Sequence, residues 1–520
     1  MDAEEDLFSG RVEDAVYRMP LAPSHRGNPL IEALPPILVE RVDILRSLLN
    51  DVVFDPELKD APARIRLHEL DLLRQLWMPQ PVHAVLEGRI STMLRSGYFA
   101  RNPRDLRRWY ETMEQARADL ARAADAQEAK VMPGRRKAAP KVVQAHSTGL
   151  SVIGTSGCGK TTSVKRILSR YPQVIVHGAE ADDMPVTTQL VWLMITCPGD
   201  GGVVGLARAI IRAFDVVLGT NLSDGFIRSR ASAETMRAAA VSLAHLHALG
   251  VLVIDEIQIL QRSKGDNAES IMNFLLTMMN DLRVPVVVIG TGGAKDFLSK
   301  ELQSGRRFSS GGHFPMGPLA RGPELDGFVR RLWSRRLVRE TPDWDALEEG
   351  QRKAILRTIW LMTAGIHDLV VKSFMLAQCR ALEVGGETLT PEVFKTVYEV
   401  DFAMLHDVIR RMRKGGQVDD AEWDAMRNAF MPGSFAKVEP AFPVAPRAAA
   451  PVGGTDADER RDKPAHPGEA PAKRKRVRKP SPPHRDRKAD PDRGAASVAE
   501  LRACGMLGRP LTGERGDVVG

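Results

Sequence analysis

Between residues 145 and 321 short apolar runs alternate with amphipathic stretches, the pattern of a parallel sheet covered by helices. LSVIG (150–154), VIVH (174–177), QLVWLMIT (189–196), VLVID (251–255) and PVVVIGT (285–291) read as strands. VLVID shows no polar alternation, so both its faces are expected to be buried. Helical spacing governs KTTSVKRILSR, residues 203–219 up to Gly219, residues 232–249 and NAESIMNFLLTMMNDL. Ser232 is placed as an N-cap, with Gly250 just past the end of its helix. After residue 322 the pattern is helical throughout, to about residue 432. The first 144 residues are mixed: a Pro-rich start (20–38), a short amphipathic helix LHELDLLRQLW (67–77), and a charged helix over 104–130 that leads into the linker VMPGRRKAAPK. From 433 to 520 the periodicity is lost among Pro, Ala, Gly and Asp, which predicts a disordered tail. The expected fold class is therefore α/β. Its domains are an N-terminal extension (1–144), an α/β core (145–321), an all-helical lid (322–432) and the tail.

Composition narrows this picture in three ways. No window holds the roughly 18 uninterrupted apolar residues of a membrane span. The acidic start MDAEEDLFSG lacks the layout of a secretory signal. The cysteines Cys158, Cys197, Cys379 and Cys504 are scattered, which suits neither a disulfide framework nor a zinc site. Together these place the protein in the cytoplasm, with no membrane partner. The formal net charge of +7 is uneven, with KRKRVRK at 473–479 inside the tail. Such a run serves equally as a solubilising segment or as a binder of nucleic acid or an acidic partner.

GTSGCGKT (154–161) fits G-x-x-x-x-G-K-[ST], with an apolar strand before it and a helix after it. The loop Gly154, Thr155, Ser156, Gly157, Cys158, Gly159, continuing into Lys160, Thr161 and Thr162, is built to turn backbone N–H groups onto phosphate oxygens. Lys160 is expected to reach the β- and γ-phosphates of ATP, and the Thr161 hydroxyl to ligate Mg²⁺. A second motif follows in VLVIDEIQIL (251–260): the buried strand delivers Asp255 to its end as the second Mg²⁺ residue. Glu256, beside it, is placed to polarise a water for attack on the γ-phosphate. Thr291 ends the next strand as a candidate γ-phosphate sensor. The loop SGRRFSSGG (304–312) carries Arg306 and Arg307, one of which is a candidate arginine finger for a neighbouring subunit's nucleotide. His245 and His247, two residues apart on a helix, point to different faces and form no metal pair.

These motifs, with a helical lid after them, resemble an AAA+ ATPase. RGNPLIEALPP (26–36), EGRISTMLRSGYFARNP (87–103), SGCGKTTSVKRILSRYPQVIVH (156–177), HALGVLVIDEIQIL (247–260) and IHDLVVKSFMLAQCRAL (366–382) further resemble the TnsC-type transposition regulators, over roughly residues 26–400. The resemblance implies a protein that assembles with ATP on double-stranded DNA as a homo-oligomer, ring or filament. It would carry a signal from a target-selecting protein to the transposase, and hydrolysis would reset it. By matching position it also implies that GYFARNP (97–103) lies over the adenine. The lid stretch TAGIHDLVVKSF departs from many AAA+ proteins in offering no arginine, only Lys372. Arg262 and Lys264, in the loop after the Asp-Glu strand, fall where DNA phosphates would be met, and read equally as solvated charges. Two alternatives stay open: a replication-type AAA+ loader, and a P-loop signalling scaffold that never touches DNA.

Overall fold

The computed structural model describes residues 10–99, 101–104, 106–125, 148–178, 188–199, 202–228, 231–262, 266–281, 283–294 and 311–414. The chain begins with β1 (Val12–Asp14), α1 (Pro29–Glu32), α2 (Arg41–Leu48), α3 (Ala63–Glu69), α4 (Pro81–Phe99) and α5 (Leu106–Asp125). The α/β core then runs β2 (Gly149–Gly154), α6 (Lys160–Leu168), β3 (Val174–Val176), β4 (Thr188–Leu190), β5 (Trp192–Thr196), α7 (Val203–Leu218), α8 (Leu222–Arg228), α9 (Ala233–Leu246), β6 (Val251–Asp255), α10 (Asp266–Asp281), β7 (Val286–Gly290) and β8 (His313–Met316). The helical region holds α11 (Pro323–Trp333), α12 (Glu349–Thr363), α13 (His367–Val384), α14 (Pro391–Thr396) and α15 (His406–Arg413).

The main sheet is parallel throughout, in the order β5-β6-β7-β2-β8. Every residue of β6 and β7 is buried, as their unbroken apolar runs require. The stretch 189–196 is not one strand. Its first part, β4, pairs antiparallel with β3 in a second sheet ordered β1-β3-β4, whereas β5 pairs with β6. VIVH therefore belongs to the small sheet. The edge strand β8 was not legible from HFPM: its burial alternates over only four residues, and Pro315 lacks the N–H of a ladder donor.

Helix ends follow local chemistry. Gly219 caps α7 in the left-handed region (φ 69°), where glycine is unstrained. The Ser232 Oγ accepts from Thr235 N at 3.1 Å to start α9. The left-handed residue after α9 is Ala248 (φ 44°) and not Gly250. Gly250 is needed for space instead, since a β-carbon there would fall 2.3 Å from Val191 O.

Two apolar cores form. One holds the sheet together with Leu30, Leu48, Trp77, Leu86 and Ile90, and the other holds α11–α15 together with Val52, Leu70, Leu73 and Leu76. The N-terminal region is thus divided between them. The chain leaves the sheet core after Leu48, packs on the helical region as α3 and the 3₁₀ turn Leu70–Gln75, and returns at Trp77. At the crossing, Asn50 and Trp77 bond to each other through both backbones, at 3.0 and 2.8 Å. Among the described residues no single helix is long and apolar enough to cross a membrane.

Candidate functional site

The phosphate-type loop opens at the carboxyl end of β2, between β7 and β8. Gly154 must be glycine because a β-carbon would fall 1.7 Å from Met316 O, the backbone of the neighbouring strand. Gly157 and Gly159 take φ 76° and 82°, which lets the loop fold back before α6 begins at Lys160. No side chain caps that helix, so its first N–H groups are left for an anionic ligand. Ser163 Oγ donates to Gly159 O at 2.7 Å and pins the loop to the helix. Thr155 O accepts from Lys160 Nζ at 2.9 Å, spanning the turn. Ser156 is half-buried and Thr162 exposed. Burial pushes the Cys158 thiol up to about 11, so it stays protonated and packs as an apolar group.

Asp255, at the end of β6 and 7% exposed, reaches this loop directly. The Thr161 Oγ1 donates to Asp255 Oδ2 at 2.8 Å, and Glu256 N donates to Oδ1 at 2.9 Å. Burial still raises the carboxyl above its ordinary value, against the pull of the Thr161 hydroxyl. A desolvated carboxylate beside a hydroxyl is a hard-oxygen donor pair of the kind magnesium takes, and the residues fit it. Thr161 and Asp255 would hold Mg²⁺, and Lys160 with the loop amides would hold the phosphates of ATP. Bound magnesium would supply neutralisation of charge on the phosphoryl oxygens.

Glu256 follows in the left-handed region at φ 56°, an unfavourable conformation for a residue with a β-carbon. Its carboxylate accepts from Gln258 Nε2. Thr291 is 5% exposed at the carboxyl end of β7, and its backbone N donates to Gln258 Oε1 at 3.2 Å. Gly154, Lys160, Thr161, Asp255, Glu256 and Thr291 are therefore gathered on one rim of the sheet, where an open α/β sheet binds ligands. Arg262 ends the 3₁₀ turn Ile257–Arg262. Lys264, Arg306 and Arg307 lie outside the described residues.

The expected place of GYFARNP is corrected. Arg101 Nη1 donates to Leu249 O at 2.7 Å, and a β-carbon at Gly97 would fall 2.6 Å from Pro285. Both partners precede β6 and β7, so the segment lies at the amino ends of the strands. The phosphate loop is at the carboxyl ends, about 16 Å away along a five-residue strand. Two other segments flank the loop instead. A β-carbon at Gly159 would fall 3.7 Å from Trp77 Nε1, and Asp368 N, on α13, donates to Gly157 O at 3.3 Å. Lys372 is tied to Asp368 at 2.7 Å. In LHELDLLRQLW the apolar spacing gives Trp77 only as the last residue of a short helix, with no sign of its place beside the loop.

Residues 144–298 match the family model described as AAA domain. No protein of curated function matches the chain. Among solved structures the chain is similar to the Walker-type ATPase PABY2304 of Pyrococcus abyssi, at 13% identity over 54% of this chain and 84% of that one (TM-score 0.33). It is also similar to the RuvB Holliday junction branch migration motor of Thermotoga maritima, at 15% identity over 61% of this chain and 81% of that one (TM-score 0.29). The parallel sheet, the glycine loop at the carboxyl end of β2 and the match over residues 144–298 together give the chain an α/β core of the AAA P-loop fold.

Proposed function

We propose that the chain hydrolyses ATP with magnesium at the β2–α6 loop and uses the nucleotide to control its own assembly on double-stranded DNA, as the TnsC-type resemblance implies. The observation that carries the ATPase reading is the 2.8 Å bond from Thr161 to Asp255, which joins the two nucleotide motifs at one point. In this reading Lys160 and the loop amides orient the phosphates, and the Glu256 carboxylate accepts the proton of the attacking water. Thr291 monitors the γ-phosphate, and Arg306 or Arg307 completes a neighbouring subunit's site. ATP favours the assembled state by binding it better than the free one, and hydrolysis withdraws that bias.

The transposition part is supported by the sequence blocks at 26–36 and 87–103, which lie outside the nucleotide motifs. They pack into one module: Asn28 Nδ2 donates to Tyr98 O at 2.8 Å, and Asn102 Nδ2 to Gly27 O at 3.1 Å. A target-selecting protein and the transposase are the proposed partners, with DNA phosphates met by Arg262 and Lys264. The test is co-sedimentation of the full chain with duplex DNA under ATP, a non-hydrolysable analogue, ADP or no nucleotide. Pelleting only with ATP or the analogue, weakened by salt, supports the reading. DNA binding that ignores nucleotide refutes the nucleotide-controlled assembly, and no DNA binding refutes it in favour of the signalling scaffold.

A further inference from the structure

The turn after Asp255 and Glu256 carries a third polar side chain that the nucleotide motifs do not account for. Gln258 is 7% exposed, and a buried amide is costly unless both its ends are bonded. Here both are. Its Nε2 donates to the Glu256 carboxylate, and its Oε1 accepts from Thr291 N at 3.2 Å. The partners also fix which way the amide points, because a carboxylate only accepts and a backbone N–H only donates. The neighbouring strand leaves room for it: a β-carbon at Gly290 would fall 3.1 Å from Gln258 Oε1 and 2.8 Å from Ile257 Cγ2. Glu256, in its left-handed turn, presents its carboxylate to a residue only two positions further on.

We infer that Gln258 is a positioning residue: it sets the carboxylate of Glu256 and ties that setting to the end of β7, so that Glu256 follows any movement of Thr291. The inference rests on the reading of Glu256 as the base for ATP hydrolysis. Losing a bond to its carboxylate lets a glutamate side chain shift, and a misplacement of about 1 Å costs on the order of 10²-fold in rate. ATP binding has no such dependence, since Gln258 touches neither the glycine loop nor Thr161 in the bonds it makes.

The test uses the full chain with Gln258→Glu, Gln258→Met, Glu256→Gln and the double variant Glu256→Gln with Gln258→Met. Each is measured for steady-state ATP hydrolysis, for binding of a fluorescent ATP analogue and for thermal unfolding. Gln258→Glu keeps the shape but sets a second carboxyl against Glu256 in place of the amide donor, and Gln258→Met keeps the volume without the bonds. The expected result is a fall in kcat of about 10- to 100-fold in both single variants, with analogue affinity within about twofold of wild type. The double variant should turn over at the rate of Glu256→Gln alone, because Gln258 acts only through Glu256. A wild-type kcat in both Gln258 variants, beside a slow Glu256→Gln, overturns the positioning role and leaves the base assignment standing. So does an additive loss in the double variant. A wild-type kcat in Glu256→Gln overturns the base assignment itself and this inference with it.

Discussion

Residues 50–77 ride on the helical region through a buried ion pair, and cutting it gives a test of how the two cores are joined. The Arg66 guanidinium on α3 is 1% exposed. Its Nη1 donates to Leu337 O and to Glu387 Oε2, both at 2.7 Å, and its Nη2 donates to Glu387 Oε1 at 2.6 Å. Glu387→Ala removes two of these three bonds and leaves a cation buried with one carbonyl partner. Breaking such a pair from one side costs about 3–5 kcal/mol. Backbone strain does not change, since Glu387 sits at φ 41° and alanine has the same β-carbon. At about 2–4 °C per kcal/mol, the variant should unfold about 6–20 °C below wild type. Arg66→Met should cost less, because it removes the buried charge and leaves Glu387, whose side chain is 14% exposed, to be hydrated. The bond from Arg66 also holds the Glu387 carboxyl down at about 2, against an ordinary 4.5. That contribution is complete above pH 4.5 and is lost as pH falls toward 2, so the gap between variant and wild type should narrow in acid. Thermal unfolding of both variants at pH 7 and pH 4 reads all three effects. Equal midpoints at pH 7, or Arg66→Met as the worse variant, would refute the reasoning.

The nucleotide site gives two further predictions. Lys160→Ala should lose binding of a fluorescent ATP analogue and, with it, ATP-dependent pelleting on DNA, and unchanged pelleting would show that assembly does not need the nucleotide. Arg306→Ala with Arg307→Ala should slow turnover by about 10³-fold or more while an isolated subunit still binds the analogue. Loss of that binding would mean the loop serves its own subunit's site.

Residues whose partners lie close in sequence, or whose type admits one explanation, were the legible ones. GTSGCGKT needs its glycines for backbone conformation, and VLVID needs burial on both faces, so loop and strand followed directly. That the loop meets Asp255 was inferable because the two motifs are built for one ligand. What escaped notice depends on distant partners. Arg66 and Glu387 stand 321 residues apart, and nothing in ARIRLHE marks Arg66 rather than Arg64 as buried. Gln258 reads as one polar position in an amphipathic turn until its two partners are seen. The break at Val191 is invisible in an apolar run because both halves are strand: its N donates to Gln173 O (2.8 Å), beside β3, while its O accepts from Val251 N (3.0 Å) in β6. GYFARNP was placed by resemblance rather than by its own chemistry. Its arginine is spent on Gly97 O and Leu249 O, holding α4 to the start of β6.

Acid should weaken the fold where the N-terminal region, the helical region and the glycine loop meet. His83, 2% exposed on α4, packs against Trp77 with ring centroids 4.7 Å apart, and His367, on α13, packs against Phe328 at 5.4 Å. Burial holds both rings down at about 4, against an ordinary 6.5, and His367 depresses His83 further. His83 Nδ1 accepts from Gln80 N at 2.7 Å, so a proton added there breaks that bond. Among the described residues, its Nε2 and His367 Nδ1 are buried with no hydrogen-bond partner to receive a charge. Because the folded value lies below the unfolded one, the unfolded chain takes up protons first. Stability is therefore full above pH 6.5 and declines as pH falls toward 4. At 1.36 kcal/mol per unit, each ring contributes about 3 kcal/mol to that decline. Replacing both with glutamine, which cannot charge, should flatten the stability profile of the full chain between pH 6.5 and 4 by about 6 kcal/mol relative to wild type. The readout is denaturant unfolding at half-unit pH steps, followed by the fluorescence of the chain's seven tryptophans. A double variant with the wild-type slope would mean that the two rings are hydrated, and that acid enters the fold elsewhere.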